Sequence, residues 1–146
     1  MKNIRPLALA LIKNQNNEYF FHQAFDSLKN ETFYRPLGGG IEFGELGADA
    51  LEREFLEEIN SKIKVGSLLK VFENIFTYEG KEGHEVILLF ESNFLKGENY
   101  NQEFDIIENG KVLGKAVWKS LAQIKEEDSK LYPLGICLLY TSPSPR

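Results

Sequence analysis

Gly39 to Asn60 reads G-G-I-E-F-G-E-L-G-A-D-A-L-E-R-E-F-L-E-E-I-N. A glycine-rich loop runs into an acidic segment with helical periodicity. At about 100° per residue, Glu54, Glu57 and Glu58 fall on one face of that helix. Ala48, Leu51, Phe55 and Ile59 form a separate apolar stripe that would bury against a sheet. Gly47 and Ala50 project toward the carboxylate side, so little bulk is expected between that face and a ligand. The pattern predicts a helix over 47–59, with Gly47 as its N-cap and Asp49 in the first turn, where negative charge suits the helix dipole.

Like charges four residues apart, as at Glu54 and Glu58, oppose helix formation by roughly a few tenths of a kcal/mol. Pairing of Arg53 with Glu57 offsets part of this. Clustered hard oxygen donors suit Mg²⁺ or Mn²⁺, ions that also hold substrate phosphates. A solvated acidic face is the commoner meaning of such a helix, and the glycine loop immediately upstream argues against it.

These residues bear a specific likeness. The segment from Gly39 to Ser61 resembles the Nudix box, G-x5-E-x7-R-E-U-x-E-E-x-G-U, where U is a bulky apolar residue. Gly39, Glu45, Arg53, Glu54, Phe55, Glu57 and Glu58 match in register, and Gly38-Gly39 and Glu42-x-Gly44-Glu45 look like the usual lead-in. Two positions depart: Asn60 stands for Gly and Ser61 for an apolar residue. Asn is the next best residue after Gly for a left-handed helix end, so the first exchange should be tolerated. Ser61 should weaken one packing contact. Leu37 also stands where Pro is usual, with Pro36 one place earlier. The box covers about a sixth of the chain, and a looser resemblance runs from near Ile4 to about Ile136.

The resemblance implies an α/β fold of the Nudix type: an α/β/α sandwich with a mixed sheet, the box helix on one side and a C-terminal helix on the other. It implies that Gly38, through its carbonyl, holds a Mg²⁺ or Mn²⁺ ion with Glu54, Glu57 and Glu58. Gly38 and Gly39 would form the phosphate loop. Glu54 or Glu58 would double as general base, Arg53 would orient Glu57, and Glu45 would brace the junction of loop and helix. In some relatives the base comes from a later loop, which leaves Glu98, Glu103 and Glu108 open. The implied reaction is Mg²⁺-dependent hydrolysis of a pyrophosphate linkage in a nucleoside triphosphate, dinucleotide or nucleotide sugar. Two other classes stand beside it: a Nudix-fold module that binds a nucleotide or ADP-ribose without cleaving it, and an interaction protein with a merely acidic helix. A pure binder has no need of three intact helix carboxylates.

Composition bounds the rest. The chain has 146 residues, 42% of them hydrophobic and 27% charged, a balance that suits one globular domain with a real core. No apolar run reaches the ~20 residues of a membrane helix, and the N-terminus carries no small-residue cleavage site. The single cysteine, Cys137, leaves no internal disulfide and fits a reducing cytoplasm. From Glu45 to Glu58 there are six acids and one base, which equals the whole net charge of −5. The acidity is therefore local. With no basic stripe for a nucleic-acid backbone, the expected partner is a small nucleotide, without polymer or membrane; a homodimer is left open.

Elsewhere the pattern predicts strands over 4–13 and 19–25, joined as a hairpin through Asn14–Asn17, with a polar loop over 26–32. Ile41–Phe43 reads as a short strand. A strand over 62–78, broken at Gly66-Ser67, and a strand over 86–95 form a second hairpin at the sheet centre, with Glu79–Glu85 as its turn. Lys96–Gly110 reads as a long, functional loop. Lys111–Trp118 is a strand, and Leu121–Ile124 begins a short helix. His22 is read as a paired strand histidine and His84 as a solvated turn histidine rather than as catalytic groups. The domain is expected to span 1–136. Residues 137–146, ending T-S-P-S-P-R, change character and are expected to be a tail of uncertain origin, irregular at its end.

Overall fold

The computed structural model describes residues 2–133 and 136. The expectations for residues 137–146 fall outside the described residues. Two sheets and two α-helices make up an α/β fold. One sheet contains β1 (Ile4–Leu11), β4 (Gly38–Gly40), β5 (Ile63–Tyr78) and β6 (Lys81–Phe94), in the order β4-β1-β6-β5. The other contains β2 (Tyr19–Asp26), β3 (Glu31–Pro36), β7 (Phe104–Glu108), β8 (Lys111–Lys119) and β9 (Lys130–Leu131), in the order β7-β8-β2-β3-β9. Helix α1 spans Gly47–Ile59 and α2 spans Leu121–Glu126. The four-stranded sheet is mixed, because β1 runs parallel to β6 and antiparallel to β4.

Alternation along the strands sorts the core into two layers. Ala8 and Ala10 of β1, Phe20 of β2, and Ala116 and Trp118 of β8 face α1 and pack with its Leu51, Phe55 and Ile59. The neighbouring positions Leu7, Leu9, Phe21 and Val117 face the other way and pack with Ile124 of α2. The two helices thus lie on opposite faces of the strands. Phe20 organises the first layer, with its ring 4.9 Å from Trp118, 5.1 Å from Phe94 and 6.3 Å from Phe55. Burying each large apolar side chain of α1 is worth about 1.5–3 kcal/mol. Ala50 and Leu51 are fully buried, whereas Ala48 is only partly covered, so the buried stripe is turned slightly toward the carboxylates.

Several predicted elements fall elsewhere. The Asn14–Asn17 turn forms, with Asn14 Oδ1 accepting from the amides of Asn16 and Glu18. It joins strands of different sheets, however, which among the described residues meet at the Lys13–Tyr19 bridge, where the Phe20 amide donates to the Ile12 carbonyl. β1 pairs instead with β6, from Ile4 opposite His84 to Leu11 opposite Glu91. The β5–β6 hairpin closes through Glu79-Gly80 alone, both at positive φ, so His84 and Glu85 lie within β6 rather than in a turn. Of that hairpin, β6 lies inside the sheet between β1 and β5, while β5 forms its edge. Gly66 and Ser67 mark a shift of register in β5 and do not break it. The expected loop over 26–32 is a turn over 27–30, and β3 begins at Glu31. Ile41–Phe43 is irregular, and the glycines themselves pair as β4. Lys96–Gly110 contains a 3-10 turn, Gly97–Asn101, and the strand β7.

Helix α1 starts after Leu46, not Gly47, and has no side-chain cap there. Its far end follows the sequence reading. Asn60 adopts the left-handed conformation (φ 49°), its amide reaches Leu56, and the Ser61 amide reaches Phe55. The Ser61 hydroxyl donates to the Ile59 carbonyl at 3.0 Å, so the departure from an apolar residue is satisfied locally. In thermal melts, Asn60→Gly should match or exceed the parent, while Asn60→Val should lose about 1–2 kcal/mol. Equal melting temperatures for the two variants would contradict the left-handed end.

Candidate active site

The site begins at the glycine run. β4 lies so close to β1 that a Cβ on Gly38 would strike the Ala8 carbonyl. One on Gly39 would strike the Glu54 carboxylate. Only glycine lets the loop pass between strand and helix here. Gly47 serves a different purpose from the one its helical position suggested. Phe90 and Ile41 cover it, and a Cβ there would sit 3.3 Å from the Phe90 ring.

Arg53 ties loop to helix. Its Nε donates to Glu45 Oε2 at 2.8 Å and its Nη2 to Glu45 Oε1 at 2.9 Å, a two-pronged pair. Nη2 also donates to the Gly40 carbonyl at 3.0 Å. Nη1 reaches Glu54 at 3.0 Å and Glu57 at 3.2 Å. Glu45 is thus its main partner, with Glu57 at the margin. The hydrogen bonds from Arg53, then the Glu42 amide, hold the Glu45 carboxyl down at about 2. The same pair raises Arg53 above its ordinary value, so both stay charged.

The helix carboxylates have unequal surroundings. Glu54 and Glu58 line a cleft of about 180 Å³ with Gly38, Gly39 and Gly40, and Glu57 does not. Glu58 is 9% exposed, and its Oε1 has no hydrogen-bond partner. Burial first, then the charges of Glu54 and Glu108, push its carboxyl up to about 8. Burial also raises Glu54, against the pull of Arg53. Glu108, on β7, lines the same cleft, whereas Glu98 and Glu103 are exposed and do not.

The other wall holds residues that sequence reasoning missed. Arg5, Arg35 and Glu85 line the cleft, together with His22. Glu85 is 3% exposed, 3.6 Å from Arg35 and 3.9 Å from Arg5. Burial, then Arg35, pushes His22 down to about 4, so the imidazole is neutral near pH 7. An acid directly before the apolar run Val86–Phe90 was the available signal. It is the pattern of a strand that carries one buried charge.

Among the described residues, no three His, Cys, Asp or Glu side chains converge closely enough to hold a metal as they stand. The donor set still fits an oxygen-ligated cation. Two adjacent carboxyls face one cleft, one of their oxygens is buried and unpartnered, and the glycine loop lines the same cleft. For Glu57 to join, it would have to leave Arg53.

A family model of the NUDIX domain matches residues 4–134. The chain belongs to the NUDIX family. As a member it is a hydrolase acting on pyrophosphate bonds. Similar solved structures include a NUDIX hydrolase from Nitrosomonas europaea, at 18% identity and TM-score 0.65, covering 94% of this chain and 86% of that one. The MutT protein from Bacillus halodurans is 17% identical with TM-score 0.61, over 95% of this chain and 81% of that one. A UDP-X diphosphatase is 17% identical with TM-score 0.57, over 84% of this chain and 54% of that one. At these identities the likeness is one of fold, and NUDIX membership rests on the family match. No helix among the described residues is long and apolar enough to cross a membrane.

The Glu58 carboxyl carries a sign for stability. Its folded value, about 8, lies above the unfolded carboxyl's, roughly 4.3. Its contribution is therefore complete below pH ~4 and lost as pH rises through about 8. In EDTA, the melting temperature of Glu58→Gln relative to the parent should climb by several degrees between pH 5 and pH 8.5. A difference that stays constant with pH would contradict the burial of this carboxyl.

Proposed function

We propose that the protein uses Mg²⁺ or Mn²⁺ to hydrolyse the pyrophosphate linkage of a nucleoside diphosphate derivative, whether a triphosphate, a dinucleotide or a nucleotide sugar. The observation that carries this reading is the Glu54–Glu58 pair, two crowded carboxyls facing one cleft beside a glycine loop. Such crowding is unfavourable for the chain alone and becomes favourable once a cation shares it. Glu54, Glu58 and the Gly38 carbonyl would hold the ion, with Glu57 recruited from Arg53. When bound, the ion supplies charge that neutralises the pyrophosphate oxygens and eases deprotonation of water.

The chain's own residues do the remainder. Gly38 and Gly39 let phosphate approach the backbone without meeting a side chain. Arg53 and Glu45 act as positioning residues that keep the loop and Glu54 in register. Glu58, or Glu54, takes the proton as water attacks phosphorus and the P–O bond to the leaving phosphate breaks. Glu108 is a second candidate for that proton, since its carboxylate borders the same cleft.

The test is a panel of nucleoside triphosphates, dinucleotides and nucleotide sugars with Mg²⁺, with products identified by mass. At least one member should be cleaved at its P–O–P link. Glu54→Gln and Glu58→Gln should each lower turnover by about a hundredfold or more while still melting cooperatively. Parent-like turnover in both variants at saturating Mg²⁺ would sink the assignment.

A further inference from the structure

Six non-glycine residues among those described adopt positive φ. Four are asparagine and one is aspartate, the types that tolerate this conformation. The sixth is Glu79, at φ 51°. It precedes Gly80 in the two-residue turn that closes β5 and β6, a place where asparagine is favoured. The chain uses Asn109-Gly110 for the corresponding turn between β7 and β8. A glutamate held against its backbone preference points to a task for its side chain.

That task lies across the gap between the sheets. Glu79 Oε1 accepts from the Ser27 amide at 2.6 Å, and its Oε2 accepts from the Ser27 hydroxyl at 2.5 Å. Ser27 sits in the turn between β2 and β3, strands of the other sheet. Asp26, 2% exposed, completes the tie. Its Oδ1 accepts from the amides of Leu28 and Lys29 in its own turn, and its Oδ2 from the Glu79 amide in the other. Lys29 Nζ donates to the Thr77 carbonyl at 2.7 Å, and the rings of Phe33 and Tyr78 meet edge-on at 5.7 Å. An asparagine in place of Glu79 would suit the turn, but its side chain is one methylene shorter and would fall short of Ser27.

This tie has the character of a latch rather than of a core contact. Ser27, Leu28 and Lys29 are exposed, so most of its bonds can be exchanged for bonds to water at little cost. It nevertheless reaches the site. Asp26, Lys29, Thr77 and Tyr78 line a cavity of about 330 Å³ that Arg35 and Glu85 also line, and these last two line the carboxylate cleft as well. Arg35 comes from β3 and Glu85 from β6, and they lie 3.6 Å apart across the same gap. One tie thus spans the sheets at the turns and another at the cleft. Each cleft residue stands only a few positions along its strand from a latched turn, so a shift at the turns is carried to Arg35 and Glu85.

We propose that Glu79, with Asp26 and Ser27, forms a releasable latch that clips the ends of two hairpins together, and that Glu79 is thereby a positioning residue for the cleft. Latched, it keeps Arg35 against Glu85; released, it lets the two walls part. The positioning role rests on the pyrophosphate-hydrolase reading, whereas the latch itself does not.

Two substitutions separate a latch from an ordinary turn. Glu79→Asn suits the left-handed turn and falls short of Ser27, whereas Glu79→Gln keeps the reach and suits the turn no better than glutamate does. The contact between the Phe33 and Tyr78 rings, read as an NMR cross-peak, reports on the gap without involving the substituted side chain. It should persist in Glu79→Gln and weaken at least about threefold in Glu79→Asn. Amide exchange over 22–26, 31–35 and 72–78 should quicken about tenfold in Glu79→Asn and stay close to the parent in Glu79→Gln. Ser27→Ala, which removes one of the two bonds and leaves the other turn untouched, should show part of the same change. A residue that serves only its own turn reverses the order, with Glu79→Asn the tighter variant; that result, or an equal cross-peak in both, overturns the latch. On any substrate that the panel yields, kcat/KM should fall about tenfold in Glu79→Asn and stay within about twofold of the parent in Glu79→Gln. Parent-like kcat/KM in Glu79→Asn overturns the positioning role. Absence of turnover in the parent is instead the failure of the hydrolase reading, and the ring contact and the exchange rates still decide the latch.

Discussion

One guanidinium joins everything at this site. Arg53 is the sole base in an acidic stretch, and its donors reach Glu45, the Gly40 carbonyl, Glu54 and Glu57 at 2.8–3.2 Å. Without it the glycine loop and the helix would repel one another through their carboxylates. With it, the loop closes over the helix, and Glu54 is set beneath Gly39, where any larger residue would displace its carboxylate. A lysine could supply the charge but not this fork, since an ammonium cannot address a carboxylate with two parallel donors.

Arg53 reaches only part of the acid. Glu45 is fully paired, Glu54 is shared between arginine and cleft, and Glu58 lies out of reach on the buried side of the helix. The result is a gradient of charge satisfaction along one helix face, ending in a carboxyl whose pKa burial and the neighbouring Glu54 charge raise while no cation shares it. The same cleft also holds positive charge, with Arg5 and Arg35 around a single buried Glu85. A cation beside the helix carboxyls and an anionic group beside the guanidinium groups would each relieve a local imbalance. A metal-bound phosphate ester is one ligand that brings both.

Much of this was legible from local signals. The helix, its apolar side and its left-handed end at Asn60 follow from spacing and from the conformational tolerance of one residue. The three carboxylates and the glycine loop follow from the same stretch. What escaped depended on pairing at long range. β1 lies beside β6, eighty positions along, and nothing in the periodicity of either strand names its partner. Glu85 read as turn because a charged residue interrupts apolar alternation, whereas in the fold it is buried between two arginines from other strands. β7 was missed for another reason. Asn109-Gly110 is a strong hairpin signal, with both residues at positive φ, but the acidic residues around it suggested a loop. That strand brings Glu108 to the cleft.

The central claim is that Glu54 and Glu58 together form a cation site held in place by Arg53. Its most direct measurement is Mn²⁺ binding, followed by the spectroscopic signal of the free ion, in the parent protein and in Glu54→Gln with Glu58→Gln. The account predicts saturable binding to the parent and at least tenfold weaker binding to a variant that still melts cooperatively. Equal affinity in the two proteins would contradict it.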